Sequence, residues 1–208
     1  MASQIHAQST VKFRVFARSL ALNGAIFVVG YGFANYYASR IDSRYALYFP
    51  WEKYLPLYES WIVVYLSIFI WFMMPVLLLQ TDAIKKLSRC FTLTTLIACG
   101  FFFVLPAQSP FVRIESDRGI SIAYQVLYAL DKPHNLFPSL HIAYTYLLLL
   151  VYRRESVRAL PWLYLWAAAM TASVILTHQH NTVDIVGGIV LAAIVYRYYY
   201  FVPASPVA

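Results

Sequence analysis

Four of the five histidines in this 208-residue chain fall in two short stretches. The first reads Asp131-Lys132-Pro133-His134-Asn135-Leu136-Phe137-Pro138-Ser139-Leu140-His141. The second reads Thr177-His178-Gln179-His180-Asn181-Thr182-Val183-Asp184. His180 and Asp184 are four apart, so on a helix they share one face, and the carboxylate can hold one imidazole nitrogen. The other nitrogen is then free to act as a nucleophile. Ser139 and His141 stand where an apolar run begins. A helix starting there offers free N–H groups and a dipole that favours an anion. A second histidine across the site can protonate a leaving oxygen. Ser139, Arg113, Lys132 and helix-end amides are candidates to bind phosphate oxygens. Phosphoryl transfer asks for little more than positioned donors, charge neutralisation and an in-line nucleophile.

Each residue also has a simpler reading. Ser139 can be a plain helix cap, Asp184 a first-turn carboxylate and Arg113 a snorkelling end-anchor. His134 reads as a loop residue and His178 as an interfacial one. Those readings must all hold together to remove the site. A His-x-His pair with a nearby Asp hints at zinc, but no HExxH and no cysteine ligand set accompanies it. Neither a metal nor a cofactor is expected. Cys90 and Cys99 sit in or beside one apolar run and read as small core residues. The Gly187-Gly188 pair reads as a close packing point between helices.

The elements that must position these residues belong to a membrane. The chain is 61% hydrophobic and 12% charged, where soluble domains carry about 25% charged residues. One small soluble core cannot hide that apolar surface. A span needs about 20 mostly apolar residues, and six stretches qualify or nearly do: 19–39, 60–81, 91–106, 138–152, 159–177 and 183–202. Residues 45–58 and 119–130 are too short or too mixed to span, and read as helices lying at the membrane surface. The expected fold is therefore an all-α polytopic bundle of six transmembrane helices with short interfacial helices, forming a single membrane domain over 1–208. The first span is too long for a signal-peptide core and is expected to be retained.

Lysine and arginine placement orients the bundle. Six spans put both termini and the loops after spans two and four on one side. That side holds ten basic residues (Lys12, Arg14, Arg18, Lys85, Lys86, Arg89, Arg153, Arg154, Arg158 and Arg197) against two acidic ones. The other side holds six basic residues against seven acidic ones. The basic side is expected to be cytoplasmic, with both termini inside. The net charge of +7 thus reads as orientation and not as a nucleic-acid footprint. Both histidine stretches fall on the opposite, outer side.

Pro138-Ser139-Leu140-His141 resembles the second motif, P-S-G-H, of the type 2 phosphatidic acid phosphatase superfamily. His180-x3-Asp184 resembles the end of its third motif, S-R-x5-H-x3-D. Counting back from His180 gives Ser173, as that pattern expects, followed by Val174 in place of arginine. The first motif, K-x6-R-P, is not recognisable, and residues 105–113 occupy its place. The form F-P-S-L-H with Asp and Asn upstream, and a third motif without arginine, is similar to the inositol-phosphorylceramide-synthase-like branch. The resemblance covers about residues 50–200.

The resemblance implies a phosphatase or phosphotransferase on a lipid head group. His180 would attack phosphorus and form a phosphohistidine. Asp184 would steady it, His141 would protonate the leaving group, and Ser139 would bind a phosphate oxygen. Arg113 is the best stand-in for a first-motif cation, with Lys132 and Arg118 behind it. His178 would replace the missing arginine, and Asn135 is a further candidate substrate contact. The implied partners are the bilayer and a phospholipid, sphingolipid or polyprenyl phosphate. The implied place is a bacterial inner membrane, with the site facing the periplasm. Water as acceptor gives a hydrolase and an alcohol gives a synthase. A non-catalytic lipid carrier or scaffold is the alternative from another class. An intramembrane serine protease lacks its G-x-S-x-G context.

Overall fold

The computed structural model describes residues 2–113 and 121–201. The described residues form helices and connecting loops with no strand among them, only an isolated bridge between Tyr45 and Ala107. Arg118, Gly119 and Val202 lie outside the described residues.

Helix α1 covers Ala2–Ser39 and starts well before the expected point at residue 19, because the polar leader carries no proline or glycine to stop it. It packs along α5, Thr81–Val104. That helix also starts ten residues before the expected point. Lys85, Lys86 and Arg89 are good helix formers, and Asp82 pairs with Lys85 at 3.0 Å in the first turn. A polar knot ties the two helices: the Asn23 amide donates to Ser88 Oγ (2.8 Å), and Thr92 Oγ1 donates to Asn23 Oδ1 (3.1 Å).

The second expected span is not one helix. After a 3-10 turn at Glu59–Trp61 it breaks into α2 (Ile62–Leu66), α3 (Ile68–Trp71) and α4 (Met74–Leu78). Ser67 is one cause. Its hydroxyl bonds back to the Val64 carbonyl (2.6 Å) and accepts the Trp166 indole N–H (2.8 Å), an arrangement that bends helices. Pro75 is the other, since it lacks an N–H and crowds the preceding turn.

The segment at 45–58 is not a surface helix either. It holds a single 3-10 turn, Pro50–Tyr54. Helix α6, Ser121–Leu130, matches the described part of the other expected interfacial helix.

Helix α7 (Leu140–Arg154) is the axis of the bundle, buried along most of its length by α5, α8 (Leu160–Leu176) and α9 (Thr182–Phe201). Glycines let α9 come close. A Cβ on Gly188 would lie 2.7 Å from the Ser139 carbonyl oxygen, and one on Gly187 would strike the Phe137 ring.

Among the described residues, three helical stretches are long and apolar enough to cross a membrane: 7–39, 81–104 and 182–199. The apolar helical stretches at 59–71, which contains the break at Ser67, and at 160–176 are shorter. One group of basic residues shares an end of the bundle. Lys85, Lys86 and Arg89 lie in the first turns of α5, Arg153 and Arg154 end α7, Arg158 precedes α8, and Arg197 lies near the end of α9. All are at the end of the bundle away from His141 and His180.

Candidate active site

The two histidine stretches meet because α7 and α9 start side by side. The Ser139 N–H donates to the Asp184 carbonyl (3.1 Å), and the Ser139 hydroxyl accepts from the Ile142 N–H (3.4 Å) as the cap of α7. Ser139 is fully buried, so capping is its visible contact.

One turn into α9, Asp184 reaches back. Its Oδ2 accepts the Asn181 N–H (2.9 Å) and lies 3.4 Å from His180 Nδ1. His180 Nε2 is left for chemistry. The His141 ring lies across from it, centroid to centroid 6.2 Å at 54°. Both rings line one cavity, so a group bound there can touch both.

Sequence reasoning missed Tyr65. Its ring stacks on His141 (4.2 Å, 25°), and its hydroxyl lies 3.3 Å from His141 Nδ1. When the phenol donates, the imidazole proton sits on Nε2, the tautomer a general acid needs. Tyr65 is one of 18 tyrosines in the chain, and no local pattern singles it out. Tyr65→Phe keeps the stacking and removes the hydrogen bond. It is expected to slow leaving-group departure about fivefold, from about 1 kcal/mol of lost hydrogen bonding, and most for poor leaving groups. Single-turnover rates across an ester series measure it, and equal slowing for every leaving group would refute the role.

Glu52 was also missed. Its side chain is buried at the start of α9, where Oε1 accepts both the N–H and the hydroxyl of Thr182 (2.7 Å each) and Oε2 accepts the Phe49 N–H (2.6 Å). This carboxylate pins the 49–55 segment beside the dipole end that carries His180. The Tyr58 N–H, donating to the Leu176 carbonyl (2.9 Å), closes the same seam.

A small chamber above the imidazoles is lined by Arg113, Asp131, Asn135, His178 and His180, with Tyr65 at its base. Arg113 donates to the carbonyls of Tyr128 and Asp131 and stacks over the Tyr128 ring (4.3 Å). Burial pulls its pKa down, opposed by the Asp131 charge. Asp131, absent from the expected site, takes hydrogen bonds from the Tyr31 hydroxyl (2.7 Å) and the Asn35 amide (3.2 Å). Burial pushes its carboxyl up, while the Tyr31 bond and the His180 and Arg113 charges oppose the rise. Asn135 is buried and donates to the Tyr31 carbonyl (3.1 Å).

Two expected anion binders have other placements. Lys132 is exposed, and only its backbone is held, by Asn35. His178 stacks on Phe111 (4.0 Å, 9°), and its Nε2 donates to the Leu55 carbonyl (3.1 Å). Burial pulls its pKa below the ordinary imidazole value, so it lines the chamber as a neutral wall. Val174 is buried where the usual arginine would stand, and its carbonyl accepts the N–H groups of Gln179 and His180 (3.0 Å each). Ser173 turns its hydroxyl to the Met170 carbonyl (2.8 Å).

The model of the PAP2 superfamily matches residues 55–198. The chain belongs to the PAP2 superfamily. No curated protein and no solved structure gives a significant match. Superfamily membership and the long apolar helices together are consistent with a membrane phosphatase-type enzyme acting on a lipid in a bilayer. The two motifs that carry the PAP2 resemblance are the two stretches joined through Ser139 and Asp184.

Proposed function

We propose that this PAP2 protein cleaves a phosphoester of a lipid head group through a phosphohistidine on His180. His180 Nε2 attacks phosphorus while the bond to the lipid or head-group oxygen breaks. His141 Nε2–H gives its proton to that oxygen. Asp184 holds Nδ1 and balances the charge on the ring. In the second step water or an alcohol attacks phosphorus, the P–N bond breaks, and His141 takes the acceptor's proton. The observation that carries this reading is the facing pair of imidazoles, each with Nδ1 engaged, by Asp184 and by Tyr65. Ser139, Arg113, Asn135 and the free N–H groups of α7 and α9 are the assigned anion contacts.

Charge favours a particular ester. The chamber holds one arginine, already spent in part on carbonyls, and a carboxylate beside it. A singly charged phosphodiester is easier to hold there than a dianionic monoester. That preference supports the inositol-phosphorylceramide-synthase-like branch, as does the F-P-S-L-H form without the third-motif arginine. Rapid acid-free quench of the full-length enzyme with labelled lipid diester should trap an acid-labile phosphoenzyme. An active enzyme that yields none would mean direct attack by the acceptor and would end the phosphohistidine reading.

We further propose six spans with the site on the outer face of a bacterial inner membrane and both termini cytoplasmic. The placement of basic residues at the end opposite the site supports it. A single reactive cysteine in place of Gln179, in a background with Cys90 and Cys99 replaced, is expected to react with an impermeant thiol reagent on intact cells. Reaction only after lysis would invert the topology.

A further inference from the structure

The cavity that contains the two imidazoles does not end at them. It continues between α1 and the broken α2–α4 segment, floored by α5 and α7, with a volume of about 650 Å³. His141, His180 and Asp131 line one end, and Phe16, Ile84 and Leu87 line the other. Tyr31, at the catalytic end, and Phe16 are fifteen residues apart on one helix, which is about 22 Å at 1.5 Å per residue. Half of a hydrocarbon core of about 30 Å is about 15 Å. A helix tilt of about 20° shortens the run only slightly. The cavity is therefore deeper than the leaflet in which its catalytic end lies.

The walls between the two ends are largely hydrocarbon and aromatic, including Phe27, Phe69, Phe72 and Phe91. The polar side chains part-way down include Ser19, Asn23 and Ser88, and Asn23 is already bonded to the Ser19 carbonyl, the Ser88 hydroxyl and Thr92. Gly24 lines the passage, and a Cβ there would meet nothing within 4 Å. The break of the second span at Ser67 and Pro75 lies along the same wall, where Ile68, Phe69, Phe72, Met73 and Pro75 line the cavity.

Resting on the reading of His180 as nucleophile, we infer that this cavity seats the substrate's own hydrocarbon chain, and that the substrate is a lipid phosphate whose chain runs past the membrane midplane. Continuity decides the occupant. A chain attached to phosphorus between His141 and His180 has this cavity as its lined route out of the site. Ordinary acyl chains end within one leaflet and would leave the Phe16 end unfilled. Isoprenoid and very-long acyl chains share the required length.

The test uses the full-length protein in mixed micelles at fixed lipid mole fraction, with chromogenic nitrophenyl phosphodiesters of increasing prenyl or acyl length. A methyl ester serves as the chain-free reference. Wild type is expected to gain kcat/KM with chain length beyond ordinary acyl length. Gly24→Trp should lower kcat/KM at least tenfold for the long chains and leave the methyl ester within twofold, with Gly24→Ala near wild type. Whichever long series reaches the higher plateau identifies the chain type. A flat length dependence in wild type, or an equal loss for all substrates in Gly24→Trp, would overturn the inference. A second arm needs no turnover. In His180→Ala, a long-chain lipid phosphate with a photoreactive group at its tail end should label α1 or α5 near Phe16 and Ile84. Labelling confined to the level of Tyr31 would overturn the chain seat, whereas methyl-ester turnover that persists in His180→Ala would overturn the catalytic reading alone.

Discussion

Replacing His180 with alanine is expected to lower turnover of any lipid phosphoester by about 10⁴-fold or more, the scale seen when a covalent nucleophile is removed. Among the described residues, neither of the other two imidazoles near the site is placed to substitute. His141 is committed to Tyr65 at Nδ1, and His178 is stacked on Phe111 with its Nε2 on a carbonyl. The same variant should give no labelled phosphoenzyme. His141→Ala should behave differently. A good leaving group such as nitrophenolate needs little protonation, so its release should fall far less than that of an alkyl ester. A ratio of alkyl to nitrophenyl rates that is unchanged in His141→Ala would remove the general-acid role. Phosphate or nitrophenol release by the purified protein over a broad lipid panel measures all of this. Equal background release by wild type and His180→Ala would leave the chain as a carrier or scaffold that keeps the motif without turnover.

What the sequence made visible, and what it hid, follows from the range of the interactions. Ser139, His141, His180 and Asp184 were legible because capping and i, i+4 geometry are local rules, and their placement at the two helix starts follows from those rules. Arg113 and Asn135 were legible as polar residues near a helix mouth, and both line the chamber. Lys132 and His178 looked equivalent in sequence. Nothing local reveals that Asn35 holds the Lys132 backbone from ninety-seven residues away, or that Phe111 offers a flat ring to His178. Tyr65, Glu52 and Asp131 were hidden for the same reason, since their partners His141, Thr182 and Tyr31 are distant in the chain.

Element ends were hidden by a different effect. Hydropathy marks where lipid begins and not where hydrogen bonding stops, so α1 and α5 run through charged residues that the apolar window excludes. The broken second span was half legible. Pro75 is a visible breaker, but the Ser67 kink is fixed by the indole of Trp166, a contact that hydropathy does not encode.

Gly188→Ala carries the second large expected effect, and it tests the geometry rather than the chemistry. The added methyl would lie 2.7 Å from the Ser139 carbonyl oxygen and 3.0 Å from Ile142 Cβ. The first of these is backbone at the start of α7, so it cannot swing aside, and α9 must move off. One turn before Gly188, the carbonyl of Asp184 accepts the Ser139 N–H at 3.1 Å, so the displacement acts directly on the bond that joins the two motifs. The 6.2 Å separation of the imidazole centroids widens with it. Overpacking of this kind costs about 1–3 kcal/mol of stability, and a misplacement of about 1 Å at a reacting centre can cost about 100-fold in rate. Gly188→Ala should therefore remain folded, with a lowered melting midpoint in detergent, and lose about two orders of magnitude in kcat/KM. Gly187→Ala is the matched comparison, because its methyl meets the edge of the Phe137 ring, which can rotate away. It should lose much less. Gly32→Ala, whose methyl meets nothing within 4 Å, should be neutral. If Gly188→Ala works at the wild-type rate, close contact between α7 and α9 is not what brings the two histidines face to face.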